Sequence, residues 1–165
     1  NLDARLLHPD AELGQAVTIA EAARTWATDH DGFFPPNLAS LIAAHKLDPA
    51  ILQSPFGPRK PIPPATQPGT GYAVDEASDF VYMGAGLHGL SADPTVAGKI
   101  VIVVSRESRL RSYHTVGYAD GHSEFVRNDV IGNTWEASNE ARAKIHLGPM
   151  TAPAAATQPT MPFAQ

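Results

Sequence analysis

Residues 115–127 read Thr115-Val116-Gly117-Tyr118-Ala119-Asp120-Gly121-His122-Ser123-Glu124-Phe125-Val126-Arg127. Asp120-Gly121 predicts a tight reversal, because a two-residue type I′ turn needs positive φ at both central positions and Asp-Gly tolerates that best. The flanking runs, 115–119 and 123–127, are rich in β-branched and aromatic residues and read as a β-hairpin. Across a two-residue turn Ala119 faces His122, Gly117 faces Glu124, Val116 faces Phe125 and His114 faces Arg127. Side chains alternate faces, so this register puts His114, Val116, Tyr118 and Phe125 on one face and His122 and Glu124 on the other. Runs of the same kind at 72–74, 80–83 and 99–104, separated by Gly, Pro, Asp and Ser, extend the hairpin into an antiparallel sheet.

Upstream the period changes. Leu13, Ala16, Val17, Ala20, Ala23 and Ala27 recur at helical spacing after Asp10, with Glu12, Gln15, Thr18, Glu21 and Thr25 on the other side and Ile19 and Trp26 broadening the apolar stripe. The spacing predicts an amphipathic helix over 11–29, ended by Asp29-His30-Asp31-Gly32 and by the extended Pro35-Pro36. A short helix starts at Asn37 as N-cap and buries Leu38, Leu41 and Ile42, and Asp48-Pro49 opens one more turn to Leu52. Six prolines between Pro55 and Pro68 make that segment a loop. A last helix is expected over 134–146, capped by Thr134 and followed by Gly148-Pro149.

The fold class expected is therefore α+β: an N-terminal amphipathic helix packed on a small antiparallel sheet, with long Pro-rich loops. The 165 residues suit a single domain, 1–149, followed by a Pro/Ala/Thr-rich tail, 150–165. Apolar residues at 43% and charged residues at 18% place the chain among globular proteins rather than disordered ones. A net charge of -5 argues against a nucleic-acid surface, which needs a clustered positive field. The absence of Cys excludes disulfides, thiol catalysis and Cys-ligated metals. No run reaches the roughly 20 apolar residues of a membrane span. The sequence begins with Asn, from which a removed leader or N-terminal anchor is expected; membrane contact would come only through such a segment, absent here.

Four ligand-type residues, His114, Asp120, His122 and Glu124, lie within eleven positions. The predicted register parts His114 from His122, so no metal and no cofactor is expected; Asp120, His122 and Glu124 remain the candidate metal ligands. Asp75, Glu76 and Asp79 supply hard oxygens without an EF-hand pattern and read as a solvated acidic turn. Arg106, Arg109 and Arg111 follow a strand and are the candidate anion-binding residues. Gly84-Ala85-Gly86 lacks the Lys-Ser/Thr of a phosphate loop. No nucleophile, base and orienter emerge together, so no catalytic residue is assigned and an enzyme is not expected.

Three stretches carry a resemblance. Residues 23–38, Ala-Arg-Thr-Trp-Ala-Thr-Asp-His-Asp-Gly-Phe-Phe-Pro-Pro-Asn-Leu, resemble the helix end and following turn of prepilin-like and type II secretion pseudopilin proteins. Residues 79–87, Asp-Phe-Val-Tyr-Met-Gly-Ala-Gly-Leu, and 118–125, Tyr-Ala-Asp-Gly-His-Ser-Glu-Phe, are similar to two further stretches of planctomycete-type members. Ser54-Pro55 stands where the family has Cys-Pro, and His114 precedes Asp120 by six residues rather than ten. The resemblance implies an exported structural subunit of a pilus, pseudopilus or other extracellular filament-like assembly. Its partners would be copies of itself or other filament subunits, and its place the periplasm, cell surface or exterior. The alternative is an exported metal-dependent hydrolase, or a metal- or ligand-binding module, built on the His122 hairpin.

Ala16, Ala20, Ala23 and Trp26 are the expected packing and assembly residues of the first helix, its Ala stripe lying on the sheet face that carries Val116, Tyr118 and Phe125. Met161 and Phe163 are the large apolar anchors of the tail, which has little other area to offset an ordering entropy of about 1–2 kcal/mol per residue. Deleting residues 150–165 should leave the thermal midpoint nearly intact while weakening self-association in sedimentation. A truncation that unfolds the domain with association unchanged would place the tail in the core.

Overall fold

Helix α1 (Ala11–Asp29) buries Glu12, Ala16, Ile19, Ala20, Ala23 and Ala27, a stripe at three- and four-residue spacing. The computed structural model describes residues 11–55, 70–88, 94–106 and 112–149. The helix ends in a Schellman turn: Gly32 N–H donates to Ala27 O at 2.8 Å, with Asp31 at φ 55°. Asp tolerates this left-handed position better than most residues. Helix α2 (Leu38–Ala43) begins at Asn37, whose side chain accepts from Ser40 N–H, and a single 3₁₀ turn, Pro49–Leu52, is capped by Asp48.

Helix α3 (Thr70–Ala77) stands where a strand over 72–74 was expected. Val74 enters the core beside Leu38, Leu41 and Leu52, while Asp75 is turned toward the start of α2. Both demands come from distant parts of the chain, and they outweigh the β preference of three residues. Strand β1 (Phe80–Tyr82), a short helix α4 (Pro94–Ala97), and strands β2 (Val101–Ser105), β3 (Tyr113–Tyr118) and β4 (Ser123–Arg127) follow. The strands form an antiparallel sheet in the order β1-β2-β3-β4. Helix α5 (Ile131–Lys144) starts three residues before the Thr134 cap that the sequence predicts, with no side-chain cap at Val130. Ile131 and Trp135, one turn apart, are buried against the sheet, and that burial draws in the extra turn. No helix among the described residues is long and apolar enough to cross a membrane.

The hairpin closes one residue differently from expectation. Gly121 N–H donates to Tyr118 O, and Tyr118 N–H donates to His122 O, so the loop is the three residues Ala119, Asp120 and Gly121. Only Gly121 takes positive φ, 98°, as the third position of such a loop requires. The strands therefore pair as Thr115↔Phe125, Val116↔Glu124, Gly117↔Ser123 and His114↔Val126. One residue of slip moves every β4 side chain to the opposite face. Glu124 now shares a face with His114, Val116 and Tyr118, and Phe125 shares one with Thr115 and Gly117.

A bulge at Ile102 complements this. Val101 pairs with Tyr118 but Val103 with Gly117, so Ile102 and Val103 both meet α1. Helix α1 thus lies on the face carrying Val103, Thr115 and Gly117, and not on the Val116/Tyr118 face that its Ala stripe was expected to cover. The Val101, Val104, Val116, Tyr118 and Val126 face is closed by Ile131 and Trp135 of α5. The β1 edge is sealed by Leu38, Leu41, Leu52 and Val74 from the short helices.

At Gly117 the sheet leaves no room for a side chain beneath α1. A Cβ placed there would lie 2.5 Å from Val103 Cγ1 and 3.3 Å from the Ala16 carbonyl oxygen, whereas one at Gly14 meets nothing within 4 Å. Gly117→Ala should therefore lower stability by about 1–3 kcal/mol through overpacking. Gly14→Ala, in the same helix system but facing open space, should raise it by about 0.5–1 kcal/mol. Urea midpoints of the two variants check the pair; a neutral Gly117→Ala would refute the close approach.

Candidate functional site

Two clusters of polar side chains stand at opposite edges of the sheet. The first was not foreseen. A cleft of about 370 Å³ is lined by Pro36, Asn37, Asp75, Glu76, Val81, Tyr82 and Arg106. It exists because α3 docks beside the start of α2: Asp75 accepts from Leu38 N–H at 3.2 Å and from Ala39 N–H at 3.3 Å, capping a helix 37 residues away. Arg106 donates to the carbonyl oxygens of Ser78 at 3.0 Å and Asp75 at 2.9 Å. Tyr82 O–H donates to Pro35 O at 2.7 Å across the cleft floor. Burial first, and then the charge of Asp75, hold the Tyr82 phenol well above its ordinary value, so it stays a donor.

This arrangement corrects two expectations. Asp75 does not sit in a solvated acidic turn; it is half-buried, and Asp79 Oδ2 accepts from Ser54 N–H at 2.7 Å. Arg106 is engaged by backbone carbonyls beside a carboxyl, which leaves it poorly placed to grip an anion, while Arg109 and Arg111 lie outside the described residues. The missed signal is long-range: a capping carboxylate 37 residues from its helix leaves no local pattern.

The second cluster is the hairpin tip. Asp120 Oδ1 accepts from the His122 backbone N–H at 3.0 Å and lies 2.5 Å from His122 Nδ1. The imidazole stacks on Tyr118, ring centroids 4.4 Å apart and planes 10° from parallel. His122 Nε2 lies 4.0 Å from Glu124 Oε2. Tyr118 is buried and its hydroxyl is shared between Glu124 and Thr134; burial first, then the bond to Glu124 and its charge, push the phenol well up. Beside it a cleft of about 260 Å³ is lined by Lys99, Tyr118, Glu124, Asn133 and Thr134.

The remaining predicted residues take structural places. His114 is fully buried, with Nδ1 2.7 Å from Asn128 Oδ1. It shares the face of His122 after all, but four residues along the strand, about 13 Å at ~3.3 Å per residue, still separate the two. Arg127 sits opposite Tyr113 rather than His114 and pairs with Asp129. Ala16, Ala20 and Ala23 are fully buried within the chain and so offer no surface for assembly; Trp26 is half-buried, stacked on His30 at 4.0 Å. Met161 and Phe163 lie outside the described residues. Among the described residues no three His, Asp or Glu side chains converge as a ready metal site. No family model matches the chain, and neither the curated proteins nor the solved structures provide a significant match.

Burial raises the Asp75 carboxyl above its ordinary 3.8, against the lowering by the Leu38 and Ala39 N–H groups and Arg106. Below 3.8 both the folded and the unfolded chain carry this proton, and it adds no pH dependence. As pH climbs from 3.8 through the raised value, the unfolded chain ionises first, folding takes up a proton and stability falls; above that value the loss is complete and constant. Asp75→Asn keeps an acceptor for α2 and removes the slope. Its stability relative to the native chain should therefore rise with pH across that window, read as urea midpoints at a series of pH values, and a relative fall would show that the N–H bonds outweigh burial.

Proposed function

We propose that the chain is a non-enzymatic structural subunit of a pilus, pseudopilus or other extracellular filament-like assembly, exported and acting by self-association or docking. One observation carries this reading. The three stretches that resemble prepilin-like proteins, far apart in sequence, meet in one apolar cluster, to which the first gives Ala23, Ala27 and Phe34, the second Leu87 and the third Ala119, with Ala20, Ile100, Ile102 and Ala141 completing it. Phe34 N–H donates to Leu87 O at 2.9 Å, joining the first two, and Gly121 of the third lies against the Glu21 and Arg24 side chains of α1. Shared residues used for turns and packing at one helix end are what a common scaffold needs; an active site would instead gather groups that move protons or charge.

Self-association needs surface, and the Ala stripe is spent inside the domain. Phe33, 54% exposed, Tyr113, 38%, and Val130, 43%, are the large hydrophobic side chains left outside among the described residues. The chain contains no Cys, so each can be replaced singly by Cys to give one reactive position. In cells making the protein at its native level, oxidation should produce a disulfide-linked dimer from at least one of Phe33→Cys, Tyr113→Cys and Val130→Cys, and immunogold electron microscopy should label filaments. Monomer at all three positions together with no labelled filament would overturn the proposal.

A further inference from the structure

The hairpin tip is organised beyond what a solvent-exposed turn requires. His122 is held three ways: its backbone N–H and its Nδ1 both engage Asp120 Oδ1, and its ring lies flat on Tyr118. A carboxylate on one imidazole nitrogen fixes the tautomer with the proton on that side and leaves the other nitrogen a lone-pair donor. That other nitrogen, Nε2, lies 4.0 Å from Glu124 Oε2. The imidazole and the carboxylate thus stand on one side of the hairpin, His122 just before β4 and Glu124 two positions on within it, as the strand period dictates. A gap of 4.0 Å between an imidazole nitrogen and a carboxylate oxygen is closed either by a proton on the ring or by a metal cation between them.

We propose that His122 Nε2 and Glu124 bind a divalent cation of the zinc or copper class, with Asp120 as the positioning residue behind the imidazole. The separation suits it. Two ligands bound at ~2.0–2.2 Å in tetrahedral geometry lie about 3.4 Å apart, so closure from 4.0 Å takes a small turn of the half-exposed Glu124 side chain. An imidazole and a carboxylate are the donor pair that zinc and copper accept, whereas calcium and magnesium prefer all-oxygen sets. Two protein ligands make an open site whose remaining positions go to water, and the cleft along Glu124 and Thr134 leaves room for it. Lys99 lines the same cleft and is the charged group there that opposes a cation. The proposal departs from the expectation of no metal and stands apart from the assembly reading: either can fail alone.

Zinc chloride alone, titrated into the full chain in a non-chelating buffer, tests it by calorimetry and by the side-chain nitrogen shifts of the histidines. The native chain should bind one zinc saturably, with the shift of a single histidine, His122, moving at Nε2. His122→Ala should abolish binding. Glu124→Gln should weaken it at least tenfold, and Asp120→Asn by about 10–100-fold, the usual effect of removing a ligand's supporting carboxylate. His88→Ala, at an exposed histidine tilted against Phe33, should change nothing. No saturable binding, equal loss in His88→Ala, or zinc shifts confined to histidines other than His122 would overturn the site. The shift experiment uses the unmodified chain, so a variant that misfolds does not decide the outcome.

Discussion

Everything in this domain follows from how closely α1 can lie on the sheet. Helices and sheets normally stand about 10 Å apart, a distance set by the side chains between them. Here the helix brings Ala16, Ala20 and Ala23, and β3 answers with Gly117, so the Ala16 carbonyl comes within van der Waals reach of the strand backbone. Small residues bury little apolar area each, and the close approach returns that loss as packing along the length of the contact. Near its first turn the helix is also tied by polar bonds. Glu12 is buried and accepts from Thr115 Oγ1 of the sheet and from Ser54 Oγ beyond the 3₁₀ turn, each at 2.5 Å. A buried carboxyl with two hydroxyl donors is satisfied only when all three segments are in place, which links helix, sheet and edge cluster in one geometry.

That constraint settles which face is which. Once Gly117 must face the helix, Thr115, Val103 and Ser123 face it too, and Ser123 Oγ donates to Leu13 O at 3.0 Å. The bulky Val116 and Tyr118 are then on the far side, where they need a different cover, and Ile131 and Trp135 of α5 provide it. The bulge at Ile102 lets β2 give two consecutive side chains to α1, filling space that a strip of alanines leaves open. A three-residue loop and a bulge are both one-residue devices, and together they bring the small residues of the strands under the helix.

Much of this was legible. The Ala periodicity marks α1, Asp-Gly marks the hairpin, and Asn37 and Asp48 mark the starts of their turns by the same capping chemistry seen in the structure. The loop length was not, because Asp-Gly serves both a two-residue turn and the end of a three-residue one, and the difference reverses a strand. A signal was present all the same: a glycine in mid-strand marks close approach of another backbone, and Gly117 alternates with Val116 and Tyr118. Residues 72–74 misled for a physical reason. A strand of three residues has little local preference, while Asp75 gains a capping role at α2 only if α3 is helical and docked.

The chemistry-bearing residues divide along the same line. Asp75 and Arg106 looked like surface charges because their partners, the start of α2 and the Ser78 carbonyl, are long-range. His114 looked like a ligand because it is close in sequence to His122, yet it is buried on Asn128 as a core residue. His122 and Glu124 are the reverse case. The two-residue register makes them bystanders on the face away from Tyr118 and Phe125, and the observed register stacks Tyr118 against His122. A single residue inserted into a hairpin loop therefore decides which β4 side chains stand under the helix and whether His122 and Glu124 share the face of Tyr118.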